Sequence, residues 1–129
     1  MRYLLDTHTL LWALTDPSRL GAGATEVIAD RHSQLVASAA SAWEIATKRR
    51  IGKLPQVDVL IGGYTRHLNR LGVARLPFTE EHCLLSGSLD WEDRDLFDRM
   101  LAAQAMIESM TLVTDDAAFR GLPGLRTLW

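Results

Sequence analysis

The stretch that decides the fold is Tyr3-Leu4-Leu5-Asp6-Thr7-His8-Thr9-Leu10-Leu11-Trp12-Ala13-Leu14. A short apolar run meets an acid and passes at once into a segment of helical character. Tyr3 to Leu5 predicts a buried strand, and Thr9 to Leu14 a helix that stops near Asp16-Pro17. The same alternation continues outward. Helices are predicted over Ala24–Arg31, Ser41–Arg50, Val57–Leu71, Thr79–Ser86 and Asp95–Met110, with Gly62-Gly63 weakening the middle of the third. Strands are predicted at Leu35–Ala37, Val73–Leu76, Thr111–Thr114 and Leu125–Leu128. Strands alternating with helices imply an α/β fold with a central parallel sheet flanked by helices. The expected organisation is a single domain over residues 1–129, since no repeat or linker divides the chain.

In such open sheets the active site lies beyond the carboxyl ends of the strands, and acids stand there. Asp6 follows the first strand, and Asp115 and Asp116 follow Leu112-Val113-Thr114. Glu44 lies one short helical segment beyond Leu35–Ala37, and Asp95 and Asp98 open the long helix from one face of its first turn. Each acid also has a local use: Asp6 and Asp95 as helix caps, Asp98 near the positive helix end, Asp115 or Asp116 as the start of a turn or cap of a short helix, and Glu44 as the partner of Ser41 in a capping box. Converging at strand ends, they favour a site. Two unit charges about 4 Å apart repel by roughly 4 kcal/mol at an effective dielectric near 20, so such a cluster takes up protons or binds a cation. An all-oxygen donor set selects Mg²⁺ or Mn²⁺. Such an ion would activate a water against a phosphodiester and stabilise the leaving oxygen.

Other features set limits. The formal net charge is −2, from 14 Lys and Arg against 16 Asp and Glu, which excludes a generically basic nucleic-acid binder. A local basic rim is available in Lys48-Arg49-Arg50 with Lys53, and in Arg66, His67, Arg70 and Arg75; solvated helix surface is the other reading of both groups. The one cysteine, Cys83, rules out an intrachain disulfide and suits a reducing, cytoplasmic setting. No apolar run reaches the roughly 20 residues of a membrane helix, and no cleavable leader is expected. Thr7, Thr9, Ser38 and Thr114 offer hydroxyls near strand ends, either to orient water around an ion or to cap locally. His8, two residues beyond Asp6, reads either as a phosphate contact or proton shuttle or as a partly buried, hydrogen-bonded helix residue, and no second His or Cys stands at zinc spacing from it. Trp12 and Trp43 read as core rather than base-stacking groups. Met100, Met106 and Met110 read as core or dimer surface, and Arg99 as a phosphate contact or the partner of a neighbouring carboxylate.

Four segments, LLDTHTLLWAL, SAASAWEIATKRRIGKL, DLFDRMLAAQA and LVTDDAAF, stand in the order and spacing of the PIN-domain VapC toxins. The chain resembles that family over essentially its whole length. The resemblance implies a metal-dependent ribonuclease using Mg²⁺ or Mn²⁺ and acting on RNA. It also implies a homodimer held in check by a cognate VapB-like antitoxin. Carried over by position, the catalytic and metal-binding residues are Asp6, Glu44, Asp98 and Asp116, with Asp95, Asp115, Thr114 and Arg99 as neighbours or substitutes. Where related sequences read His-x-Asp-Pro-Phe-Asp-Arg, this chain has Asp93 for the His and Leu96 for the Pro, implying a more acidic entrance and a less rigid turn. The alternatives are a PIN-like module kept for binding, which would be expected to have lost one of the four acids, and a DNA flap nuclease, which needs extra helices. A receiver domain is set aside because no acid follows Val36-Ala37 and no Lys follows Val113-Thr114. A haloacid-dehalogenase-like phosphatase is set aside because His8 stands where its second Asp is needed.

Overall fold

The computed structural model describes residues 1–54 and 58–129. Its elements run β1 (Arg2–Leu5), α1 (Thr7–Thr15), α2 (Ala22–Ala29), β2 (Gln34–Ser38), α3 (Ala39–Arg50), α4 (Asp58–Gly62), α5 (Tyr64–Leu71), β3 (Ala74–Leu76), α6 (Glu80–Ser88), α7 (Leu96–Ile107), β4 (Thr111–Val113) and β5 (Thr127–Leu128). The strands form one sheet in the order β3-β2-β1-β4-β5, every pair parallel. The predicted α/β class and parallel sheet are therefore observed.

The register explains why these strands are apolar throughout. Leu4 pairs across with Val36 and Leu112, and all three point to the face covered by Leu101, Ala102 and Ala105 of α7, with Met110 and Phe119. Their neighbours Leu5, Ala37 and Val113 align in the same way and point to the opposite face, against Leu10, Ala24 and Leu68. Successive side chains alternate faces, and because helices cover both, no polar alternation is left to see. Met100 and Met110 are buried, which settles them as core.

Helix boundaries differ from expectation where capping decides them. α1 starts at Thr7 because Asp6 accepts from the Thr9 amide at 2.8 Å, and α7 starts at Leu96 because Asp95 accepts from the Asp98 amide at 3.0 Å. The expected capping box of Ser41 with Glu44 is absent. Ser38, the last residue of β2, caps α3 through the Ala40 amide at 2.9 Å, and Ser41 lies inside the helix bonded to the Thr7 hydroxyl at 3.0 Å. A capping box does form at Thr79, with His82 in the place usually held by Glu or Gln. The expected helix over Val57–Leu71 is two helices: the chain breaks at Gly62-Gly63, and Val57 lies outside the described residues. Gly72, at φ +76°, closes α5 in the left-handed region that favours glycine. Replacing the cap by Ser38→Ala is expected to cost about 1 kcal/mol in denaturant unfolding. A change within experimental error would mean that Ser38 does not set the start of α3.

Candidate active site

The strand order reverses between β1 and β4. From β1 the sheet grows through β2 and β3 on one side, and through β4 and β5 on the other. The segments leaving β1 and β4 diverge there and leave a crevice, the usual site of ligand binding in open α/β sheets. A cleft of about 370 Å³ opens at this point, and Asp6, Glu44, Asp95, Asp98, Asp115 and Asp116 all line it. Thr7, His8, Trp12, Lys48 and Leu101 complete its wall.

Each acid arrives from a different element. Asp6 continues β1, its amide donating to the Val113 carbonyl at 3.1 Å, so the sheet itself fixes its position. Burial pushes its carboxyl pKa up, while hydrogen bonds from Thr114 and Thr9 oppose the shift. Thr114 also accepts from the Asp116 amide at 3.1 Å, so this one hydroxyl ties the two acids to the end of β4. Asp116 accepts from the Ala118 amide at 2.9 Å and starts the 3-10 turn Ala117–Gly121. Glu44 is 4% exposed, one turn beyond Ser41, whose hydroxyl contact with Thr7 holds α3 against α1. Its carboxylate pairs with Lys48 on the next turn.

Asp98 carries the largest electrostatic load. Burial raises its carboxyl, as do a hydrogen bond with Asp93 and the charges of Asp95, Asp93 and Asp116; together they push it up to about 9. Asp93 in turn accepts from the Asp95 amide at 2.8 Å, which sets the entrance loop against the cluster. Asp93 thus adds its charge to the surroundings of Asp98, although it does not line the cleft itself.

Among the described residues, no group of three or more His, Cys, Asp and Glu side chains is arranged to hold one ion directly. The donor set nevertheless fits Mg²⁺ or Mn²⁺. It is all carboxylate, it holds a proton on Asp98 to relieve its own repulsion, and Mg²⁺ keeps most of its waters and takes one or two carboxylates. A cleft of this size has room for a hydrated ion.

Several expected roles change. Arg99 pairs with no carboxylate among the described residues; its guanidinium donates to the backbone carbonyls of Ser86, Leu89, Trp91 and Asp93. Trp43, expected in the core, is 51% exposed and packs edge-on against Phe97, because α3 buries the face that carries Ala40, Ser41, Glu44 and Ile45. Trp12 is half-buried at the cleft, and His8 is exposed there rather than partly buried. Of the expected basic rim only Lys48 reaches the cleft; Arg49 pairs with Asp58, and Arg75 donates to the Val73 and Thr65 carbonyls. The partnership of Lys48 with Glu44 was legible as an i, i+4 pair on a helix, and the nearness of His8 to Asp6 in sequence was a hint of its place, whereas nothing in the sequence brings Trp12 to the cleft wall.

The chain matches the PIN domain family over residues 3–125. No curated protein matches it. Among solved structures, it is similar to VapBC2 from Rickettsia felis bound to a promoter DNA fragment, at 18% identity and a TM-score of 0.70, covering 99% of this chain and 98% of that one. It is also similar to VapBC-1 from nontypeable Haemophilus influenzae, at 20% identity and a TM-score of 0.66, covering 99% and 97%. DNA-bound VapBC from Salmonella typhimurium matches at 15% identity and a TM-score of 0.69, covering 99% and 97%. At these identities the likeness is one of fold. With the family match running nearly from end to end, the chain belongs to the PIN domain family.

Proposed function

We propose that this chain is a divalent-metal-dependent endoribonuclease, the toxin of a VapBC-type pair. The observation that carries the reading is the arrival of Asp6, Glu44, Asp98 and Asp116 from four separate elements in one cleft at the switch point of the sheet. Asp6, Glu44, Asp98 and Asp116 would together hold Mg²⁺ or Mn²⁺ and its waters. When bound, the ion supplies Lewis acidity, acidifying water and offsetting charge on the phosphoryl oxygens. The chain's own groups do the positioning. Thr114 orients Asp6 and Asp116 together, Asp95 fixes the first turn of α7 beneath Asp98, and Lys48 holds the Glu44 carboxylate turned along α3. Asp115, exposed at the rim, is the available substitute for Asp116.

The structural neighbours, being toxin–antitoxin complexes, support a VapB-like antitoxin as the partner. The proposed working form is a homodimer. Among the described residues no helix is long and apolar enough to cross a membrane.

The test is incubation of the purified chain, freed of copurifying protein, with total bacterial RNA and Mn²⁺ or Mg²⁺, with and without EDTA. Single-stranded DNA runs alongside. Discrete RNA fragments that require metal are expected, and DNA is expected to remain intact. Cleavage that survives EDTA would overturn the metal mechanism. Cleavage of DNA in preference to RNA would move the chain to the flap-nuclease class. No cleavage, with metal binding intact by calorimetry, would leave a binding module.

A further inference from the structure

Next to the carboxylates the cleft wall changes character. His8 and Trp12 are four residues apart on α1, so both project from the same face of that helix. Their ring centroids are 5.8 Å apart, with the rings tilted by 48°. His8 is exposed to the cleft, and both rings line it beside Asp6. Trp12 is fixed from behind. Trp129 meets it edge-on at 5.8 Å, and the Arg19 guanidinium lies 5.1 Å from its ring centroid. Trp129 is itself pinned, since its carbonyl accepts from the Gly23 amide at 3.0 Å, and a Cβ at Gly23 would come within 2.4 Å of that oxygen. The pair is therefore a braced aromatic surface, with acids at one end and a guanidinium at the other.

That order of groups matches a polynucleotide. A nucleic acid presents phosphates, which an ion on the carboxylates or a guanidinium would attract, separated by flat bases, which stack on aromatic rings. A base can reach such a platform only when it is unpaired. We infer that His8, backed by Trp12, is the subsite for one unpaired RNA base next to the cleaved phosphate, and that Arg19 receives a phosphate further along the strand. The chain thus selects single-stranded or looped RNA through α1. A peptide side chain is the competing occupant. The inference rests on the ribonuclease reading of the cleft, but it concerns binding alone.

The test measures binding in EDTA, where no cleavage is needed, by anisotropy of a labelled short oligoadenylate at low salt. A duplex of the same length and a set of strands with one abasic residue moved along them complete the series. The full chain is expected to bind the single strand in preference to the duplex. One abasic position should weaken binding by about tenfold, within the range of a single base stack. His8→Ala should cause the same loss and make that abasic position silent, as two changes at one contact must. Trp12→Phe, which keeps a ring and avoids a cavity, should retain most of the affinity. Equal binding of duplex and single strand would overturn the proposal, as would His8→Ala weakening intact and abasic strands by the same factor, or not at all. A positive cycle in a chain that never cuts RNA would leave the base subsite standing and remove the ribonuclease reading.

Discussion

Asp98→Asn is expected to reduce RNA cleavage by about a thousandfold while making the metal-free protein more resistant to heat above neutral pH. Both effects come from one carboxyl. Burial, with Asp93, Asp95 and Asp116 around it, raises Asp98 from its ordinary value of 3.8 to about 9. The folded chain therefore keeps a proton that the unfolded chain gives up near pH 4. The stability that this proton confers is full below about pH 4 and is lost as pH rises through about 9. Without metal, the wild-type melting temperature should fall steadily from pH 5 to pH 9. Asp98→Asn should flatten that decline, because the amide has no proton to lose and can still donate to Asp93. Mg²⁺ or Mn²⁺ should restore the wild type in a concentration-dependent way, since a ligand that binds only the folded state stabilises it by mass action. The variant should gain much less. A thousandfold loss corresponds to about 4 kcal/mol of transition-state stabilisation, reasonable for an electrostatic group at a reacting phosphate. A variant that cuts at the wild-type rate, or whose melting responds to metal as strongly as the wild type, would remove Asp98 from the proposed site.

How far the sequence foretold this arrangement depends on the scale of the interaction. Strand positions were legible because Leu4, Val36 and Leu112 sit in short apolar runs separated by helical periods, and a sheet buried on both faces leaves that pattern. Asp6 and Asp116 were legible because they follow such runs closely, whereas Glu44 and Asp98 stand within helices. Local chemistry was harder to read. Ser38 and Ser41 are both good caps, and only the end of β2 decides that the first one is used. Gly62-Gly63 marks a weak point, but a glycine pair permits a break without requiring one. Trp12 and Trp43 have similar apolar neighbours along the chain. Their different surroundings, Trp129 and Arg19 for one and Phe97 for the other, come from residues distant in sequence. Asp6 and Asp95 had been open to two readings, cap or site, and the two are compatible in space, since each caps a helix and also lines the cleft. A carboxylate has two oxygens with several lone pairs, so accepting one backbone amide at a helix N-terminus does not exhaust it.

Arg99→Ala is expected to destabilise the fold by about 3 kcal/mol in urea unfolding, more than removal of a surface charge would. A guanidinium offers five N–H donors in a rigid fork, and four carbonyls receive them here: Ser86 at 3.0 Å, Leu89 at 2.6 Å, Trp91 at 3.0 Å and Asp93 at 2.9 Å. Leu89 to Asp93 lie between α6 and α7, where no helix or strand satisfies those oxygens. Bonds from a charged donor are individually worth about 1.5–3 kcal/mol, but water compensates partly for a half-exposed loop, so the expected total lies well below their sum. Arg99→Lys should recover only part of the loss, because one ammonium cannot span four carbonyls. The loop also carries Asp93, so releasing it should weaken metal binding. A phosphate-binding arginine would behave differently: its loss would raise KM for RNA and leave both unfolding and metal affinity unchanged. Stability within 0.5 kcal/mol of wild type, together with a raised KM, would restore that reading. Arg99 follows Asp98 directly in the chain, yet the two diverge in role. The acid faces the cleft, and the cation turns away from it to secure the loop that carries Asp93 against Asp98.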